Sequence, residues 1–184
     1  MSIAAAFAAD KQPPFRPAAA DSYSHQTSER VTIGIDVYSS AEKVRTAFGK
    51  VNPNLCGILP VLVVVQNNSD KTIRLNRLQA EYVGAGNNRV EATPARDVRY
   101  VNPEISSRTI TAPGRIPLPH RKNPLDSWEI EGRAFAADSL PPGNSASGFF
   151  YFQAESQPQA TIYLSGITEA GTGRELLYFE VPVK

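Results

Sequence analysis

From residue 31 the chain alternates. Val31, Ile33, Ile35 and Val37 fall on one side of an extended backbone, with Thr32, Gly34 and Asp36 on the other. That period of two predicts a half-buried strand. A short helix follows: Ser39 is placed to cap it, Glu42 stands three residues on, Val44, Ala47 and Phe48 form an apolar stripe, and Gly49 stops it. Ile58 to Gln66 is an apolar, largely β-branched run, predicting a strand that lies centrally or is covered on both faces, with Pro60 confined to its start. Asn67-Asn68-Ser69-Asp70 reads as a turn, because short polar side chains bond their own backbone. Ile73 and Leu75 resume on one phase, and Leu78, Ala80 and Tyr82 on the opposite one, which predicts a bulge or break near Asn76 and Arg77. Gly84 to Asn88 reads as a further turn, with a short strand around Arg89 to Ala92.

The carboxy-terminal third carries strand signals at Trp128 to Phe135, Phe149 to Phe152 and Thr161 to Leu164. The Gly-containing turn Glu169 to Arg174 is followed by alternating Leu177, Phe179, Val181 and Val183. Seven or eight short strands with little helix predict an all-β antiparallel sandwich, with a small barrel as the alternative. One stretch breaks the pattern. Residues 97–127 hold Pro103, Pro113, Pro117, Pro119 and Pro124 and show no period, predicting a long inserted loop. Thr93 and Pro94 can open one helical turn before it.

The amino terminus differs from the rest. Ala6-Phe7-Ala8 has the small-x-small pattern at the end of a secretory signal peptide, without a charged and fully apolar stretch before it. The Pro/Ala-rich continuation lacks periodicity, so residues 1–28 are expected to form a flexible arm or signal-peptide remnant, and residues 29–184 the folded domain. The expected compartment is outside the cytoplasm: periplasm, outer envelope or extracellular space. A lone Cys56 among Leu55, Ile58 and Leu59 reads as an inert buried thiol and excludes an internal disulfide.

With 184 residues, 19 basic and 18 acidic, the net charge is +1, which excludes a globally basic nucleic-acid binder. The total conceals a division. Residues 96–122 carry six cations and two anions, net +4, leaving net −3 elsewhere. A proline-stiffened basic loop on a mildly acidic body suits contact with a protein or an anionic envelope component; a solvated loop kept soluble by its charge is the alternative. The candidate contact residues are Arg99, Arg108, Arg115, His120, Arg121 and Lys122.

Catalytic signatures are missing. Two isolated histidines and one cysteine supply no H-x-x-x-H or C-x-x-C spacing, and no G-x-S-x-G elbow occurs. No cofactor, metal or enzymatic activity is expected. Glu129 and Glu131, read on a strand, would stand about 7 Å apart, in reach of an inverting glycosidase pair beside Trp128. They alternate with Trp128 and Ile130, so an exposed strand face explains them better. The aromatics of the last strands suit either a core or a sugar-stacking platform.

Gly57-Ile-Leu-Pro-Val-Leu-Val-Val-Val-Gln-Asn-Asn-Ser-Asp70 and Leu140-Pro-Pro-Gly-Asn-Ser-Ala-Ser-Gly-Phe-Phe-Tyr-Phe152 resemble bacterial secreted immunoglobulin-like domains of uncharacterised function, as does the closing Glu169 to Glu180. The resemblance spans roughly residues 29 to 184. It implies an immunoglobulin-like sandwich with an exported, non-catalytic role, and it carries over no site residues. The expected function is therefore a binding or structural domain of the bacterial envelope, contacting its partner through edge strands and the basic loop. Alternatives are a repeating subunit of a surface assembly, self-associating through the arm, or a carbohydrate-binding module. No apolar run is long enough to span a bilayer.

Overall fold

The computed structural model describes residues 15–101, 123–176 and 178–183. Its centre is β3 (Leu59–Asn67), the apolar run, paired antiparallel with β2 (Val31–Val37) on one side and β8 (Ser145–Phe152) on the other. With β1 (Ser24–Ser28) outside β2, these make a four-stranded sheet ordered β1-β2-β3-β8. A second sheet is ordered β11-β9-β5-β6, from Phe179–Pro182, Thr161–Ser165, Gln79–Val83 and Arg89–Glu91. A small third sheet joins β10 (Thr168–Glu169), β4 (Ile73–Arg74) and β7 (Ser139–Leu140).

Alternation explains the layering. Ile33, Ile35, Val61, Val63, Val65 and Phe152 of the first sheet meet Ala80, Tyr82, Ile162, Leu164, Phe179 and Val181 of the second in one core. The opposite phase of β3 and β8, Leu62, Val64, Phe149 and Tyr151, packs under a helical layer. That layer holds α1 (Ala41–Phe48), α2 (Trp128–Gly132) and the 3-10 turn Val98–Tyr100. β3 is thus central and covered on both faces, the environment its unbroken apolar run requires.

The domain is all-β in its sheets, but it has eleven strands in three sheets among the described residues, more than the seven or eight expected. Two-residue strands β4, β7 and β10 are too short to leave a hydrophobic period. The anticipated bulge near Asn76 and Arg77 is a full crossing: β4 belongs to the small sheet and β5 to the second. The expected strand at Trp128–Phe135 is helix α2 instead. Ser127 caps it by accepting from the Glu129 N–H at 3.3 Å, and Ile130 alone anchors it in the core. More than one helix therefore forms. α1 is capped by Ser40, one residue later than the sequence suggests, and ends at Gly49 with φ 63°.

Residues Ala20–Ser28, read as part of the arm, form a 3-10 turn and β1. Gly34 makes room for that turn: a Cβ there would lie 2.1 Å from the Ala20 carbonyl oxygen. The β1–β2 hairpin closes through Glu29 and Arg30 at φ 49° and 63°, a left-handed pair without glycine. Asn67 accepts from Ser69 N–H at 3.1 Å, as the turn reading required.

Candidate functional site

The sandwich is stitched along one side and open along the other. On the stitched side, Ser24 Oγ donates to the Pro182 carbonyl at 2.6 Å, and Glu180 N–H donates to Gln26 Oε1 at 2.6 Å, tying β1 to β11. On the open side, β8 and β6 are the outermost strands of their sheets.

The outer edge of β8 is partly covered by backbone. Phe135 N–H donates to the Phe149 carbonyl at 3.1 Å, Phe149 N–H donates to the Arg133 carbonyl at 2.8 Å, and Thr93 N–H donates to the Tyr151 carbonyl at 2.7 Å. Gly148 permits the first crossing, since a Cβ there would stand 2.3 Å from Phe135 Cα. Between these crossings and β6 lies a groove of about 320 Å³. Leu78, Ala80, Ala92, Pro94, Phe135 and Phe150 give it apolar walls, and Gln79, Glu81 and Glu91 a polar margin. Phe135 and Phe150 stack at 5.5 Å between centroids.

Among the described residues, β6 leaves its outer backbone unpaired. Ala92 N–H donates to the Ala80 carbonyl and Gly84 N–H to the Asn88 carbonyl, so the intervening Arg89 and Glu91 direct N–H and C=O away from β5. Thr93, in the same phase, uses its N–H on β8. The edge is therefore a short row of free donors and acceptors leading into the groove, a geometry suited to an added strand.

A second concavity, of similar volume, sits at the hairpin end and is lined by Glu29, Arg30, Asp70, Lys71, Glu169 and Arg174. Glu169 is 6% exposed. Its carboxylate accepts from Arg174 at 2.6 Å, Thr172 Oγ1 at 2.8 Å and Lys71 Nζ at 3.0 Å. Those bonds, Arg174 foremost, pull its pKa down to about 2. Arg174 also pairs with both oxygens of Glu29. This is a clasp between the β1–β2 turn and the β10 turn, in which Lys71 and Arg174 are engaged by Glu169 and Glu29.

Of the sequence-derived contact residues, Arg99 is described. It lies on the turn Val98–Tyr100 and pairs with Asp126 at 2.8 Å and with Glu131, joining the two chain segments that flank residues 102–122. Arg108, Arg115, His120, Arg121 and Lys122 lie outside the described residues. The Glu129/Glu131 pairing fails. Two residues apart on a helix, the carboxylates diverge, Glu131 toward Arg99 and Glu129 onto Ser127 Oγ. Trp128 is 71% exposed, whereas Tyr151, Phe152 and Phe179 are core. Cys56 is 6% exposed, and burial pushes its thiol pKa up. Among the described residues no group of His, Cys, Asp and Glu could hold a metal ion, and no helix is long and apolar enough to cross a membrane.

Reasoning from sequence missed the groove. Its walls come from four separated segments, and the one local signal, Gly148 inside a strand-forming run, marks close backbone approach without naming what approaches.

No family model matches the chain, and no curated protein matches it. Among solved structures, similarity is found to a Bacillus subtilis protein provisionally classed as a lipoprotein, with 13% identity and a TM-score of 0.42 over 87% of this chain. The chain spans only 38% of that protein's length. A Listeria monocytogenes protein of unknown function has 13% identity and a TM-score of 0.41, covering 87% of this chain and 82% of its own. The secreted protein MPT63 of Mycobacterium tuberculosis has 12% identity and a TM-score of 0.35, covering 89% and 95%.

Proposed function

We propose that this protein is a non-catalytic, exported binding or structural domain of the bacterial envelope, an elaborated immunoglobulin-like sandwich that receives an extended protein segment at its open side. The observation that carries the reading is the unpaired edge of β6 leading into the apolar groove. Main-chain bonding to Arg89 and Glu91 would supply affinity, and one apolar side chain of the partner would enter between Pro94 and Phe135. The basic stretch 96–122 is a second, electrostatic contact for a protein or anionic envelope component. Export is supported by the small-x-small pattern at Ala6 to Ala8.

Glu91→Pro tests the edge directly. It removes an outward N–H while keeping the bonds of Val90 and Ala92 to β5. Pull-down from envelope extracts with wild type, Glu91→Pro and an alanine replacement of Arg108, Arg115, Arg121 and Lys122 should show partner loss in the first variant and weakening in the second. Unchanged recovery with Glu91→Pro refutes edge addition; unchanged recovery with the quadruple variant refutes the basic contact.

A further inference from the structure

The solvent face of the second sheet brings together residues far apart in the chain. Register places Glu180 of β11 opposite Tyr163 of β9, Tyr163 opposite Glu81 of β5, and Glu81 opposite Glu91 of β6. All four alternate with core residues, so they form one row across the outside of the sheet. Three carboxylates in a row, two of them directly opposed, form an unfavourable arrangement unless cations answer them.

One cation already does. Arg89 pairs with Glu81 at 2.9 Å and lies 5.4 Å over the Tyr163 ring. Tyr178, 51% exposed, stacks on Tyr163 at 5.1 Å and widens the aromatic surface. Among the described residues the carboxylates of Glu91 and Glu180 have no ion-pair partner. The face thus displays how it holds one guanidinium, between a ring and a carboxylate, and leaves two more carboxylates open.

We infer that the outer face of the second sheet docks an extended cationic protein segment, with Arg or Lys side chains spaced four residues apart. The spacing follows from geometry. Glu180 and Glu91 are three strand spacings apart, about 14 Å, and residues i and i+4 of an extended chain lie about 13.5 Å apart on one side. Tyr178, half exposed, lies beside the path, where it would stack on the arriving cation. Glu81 and Glu91 also border the groove, but the inference uses their carboxylates rather than the β6 backbone, which Glu91→Gln leaves intact, and it does not rest on edge addition.

The test titrates the full chain with a fluorescent Arg-Ser-Thr-Ser-Arg peptide and a Glu-Ser-Thr-Ser-Glu control, by anisotropy at two salt concentrations. Expected are salt-sensitive binding of the cationic peptide alone, weakening of about tenfold in the Glu91→Gln/Glu180→Gln double variant, and about two- to fivefold in Tyr178→Ala. Both variants are exposed positions, and an unchanged melting curve keeps folding out of the result. A peptide whose arginines are adjacent should bind more weakly than the spaced one. Absence of binding to wild type, or binding unaltered by the double variant, overturns the proposal. Sedimentation supplies the other occupant: if wild type self-associates and the double variant does not, a second copy occupies the face and the separate-partner assignment is overturned.

Discussion

Substituting Gly148 with alanine should open the seam of the sandwich. The added Cβ would fall 2.3 Å from Phe135 Cα and 2.5 Å from Phe135 N, so backbone must move rather than a flexible side chain. Displacing the segment 133–135 breaks two main-chain hydrogen bonds, Phe135 N–H to the Phe149 carbonyl and Phe149 N–H to the Arg133 carbonyl. It also separates the stacked Phe135 and Phe150. At about 1 kcal/mol for each hydrogen bond and about 1 kcal/mol for the aromatic pair, the loss is about 3 kcal/mol. For a domain of this size that lowers the melting temperature by about 6–12 °C. Gly171→Ala is the control: no atom lies within 4 Å of its Cβ position and its φ is not left-handed, so a change within about 0.5 kcal/mol is expected. Thermal melts by circular dichroism measure the first effect, and hydrogen exchange at the Phe149 amide locates it. A Gly148→Ala protein that melts within about 1 °C of wild type, with Phe149 still protected, would refute the close-approach argument.

Tyr151→Phe removes a hydroxyl that donates to the Ile130 carbonyl at 2.6 Å in the buried layer, leaving that acceptor unpaired; denaturant unfolding should show a loss of about 1–3 kcal/mol. Glu169 has a folded pKa of about 2 against an ordinary 4.5, so its contribution is full above pH 4.5 and disappears as pH falls toward 2. Glu169→Gln should therefore flatten the acid limb of the melting-temperature profile between those values; a limb identical to wild type would rule out the clasp as its source. Arg99→Ala loses two partly exposed ion pairs, for which about 1 kcal/mol is the ceiling, and should raise hydrogen exchange in Val98 to Val101 and Asn123 to Glu131. Cys56 should resist a thiol reagent in the native protein and react at once in denaturant.

Where side chains alternate over five or more residues, the strands were legible in advance. Val31 to Val37 and Thr161 to Ser165 carry their own period, Leu59 to Asn67 is marked instead by its unbroken apolar run, and Asn67 and Gly49 announce a turn and a helix end locally. Trp128 to Gly132 shows the limit. Five residues with one buried anchor fit a strand or a helix turn equally well, and the choice fell to the Ser127 cap and the core position available to Ile130. Ala20 to Ser28 was illegible for another reason: Ser, His, Gln and Thr form an edge strand only because β2 offers backbone partners.

By itself, the sequence determined the all-β class, the central double-covered strand, the positions of several turns and the separation of a basic stretch from a mildly acidic body. These depend on neighbours along the chain. Tertiary structure decided the three-sheet topology, the groove between β6 and β8, and the row Glu180-Tyr163-Glu81-Glu91. Those depend on strand order and register, which bring together residues up to about a hundred positions apart. No local period records which strand lies beside which. The net −3 outside residues 96–122 was visible from composition, but the alignment of Glu180, Glu81 and Glu91 on one sheet face arises only when four strands pair in that order.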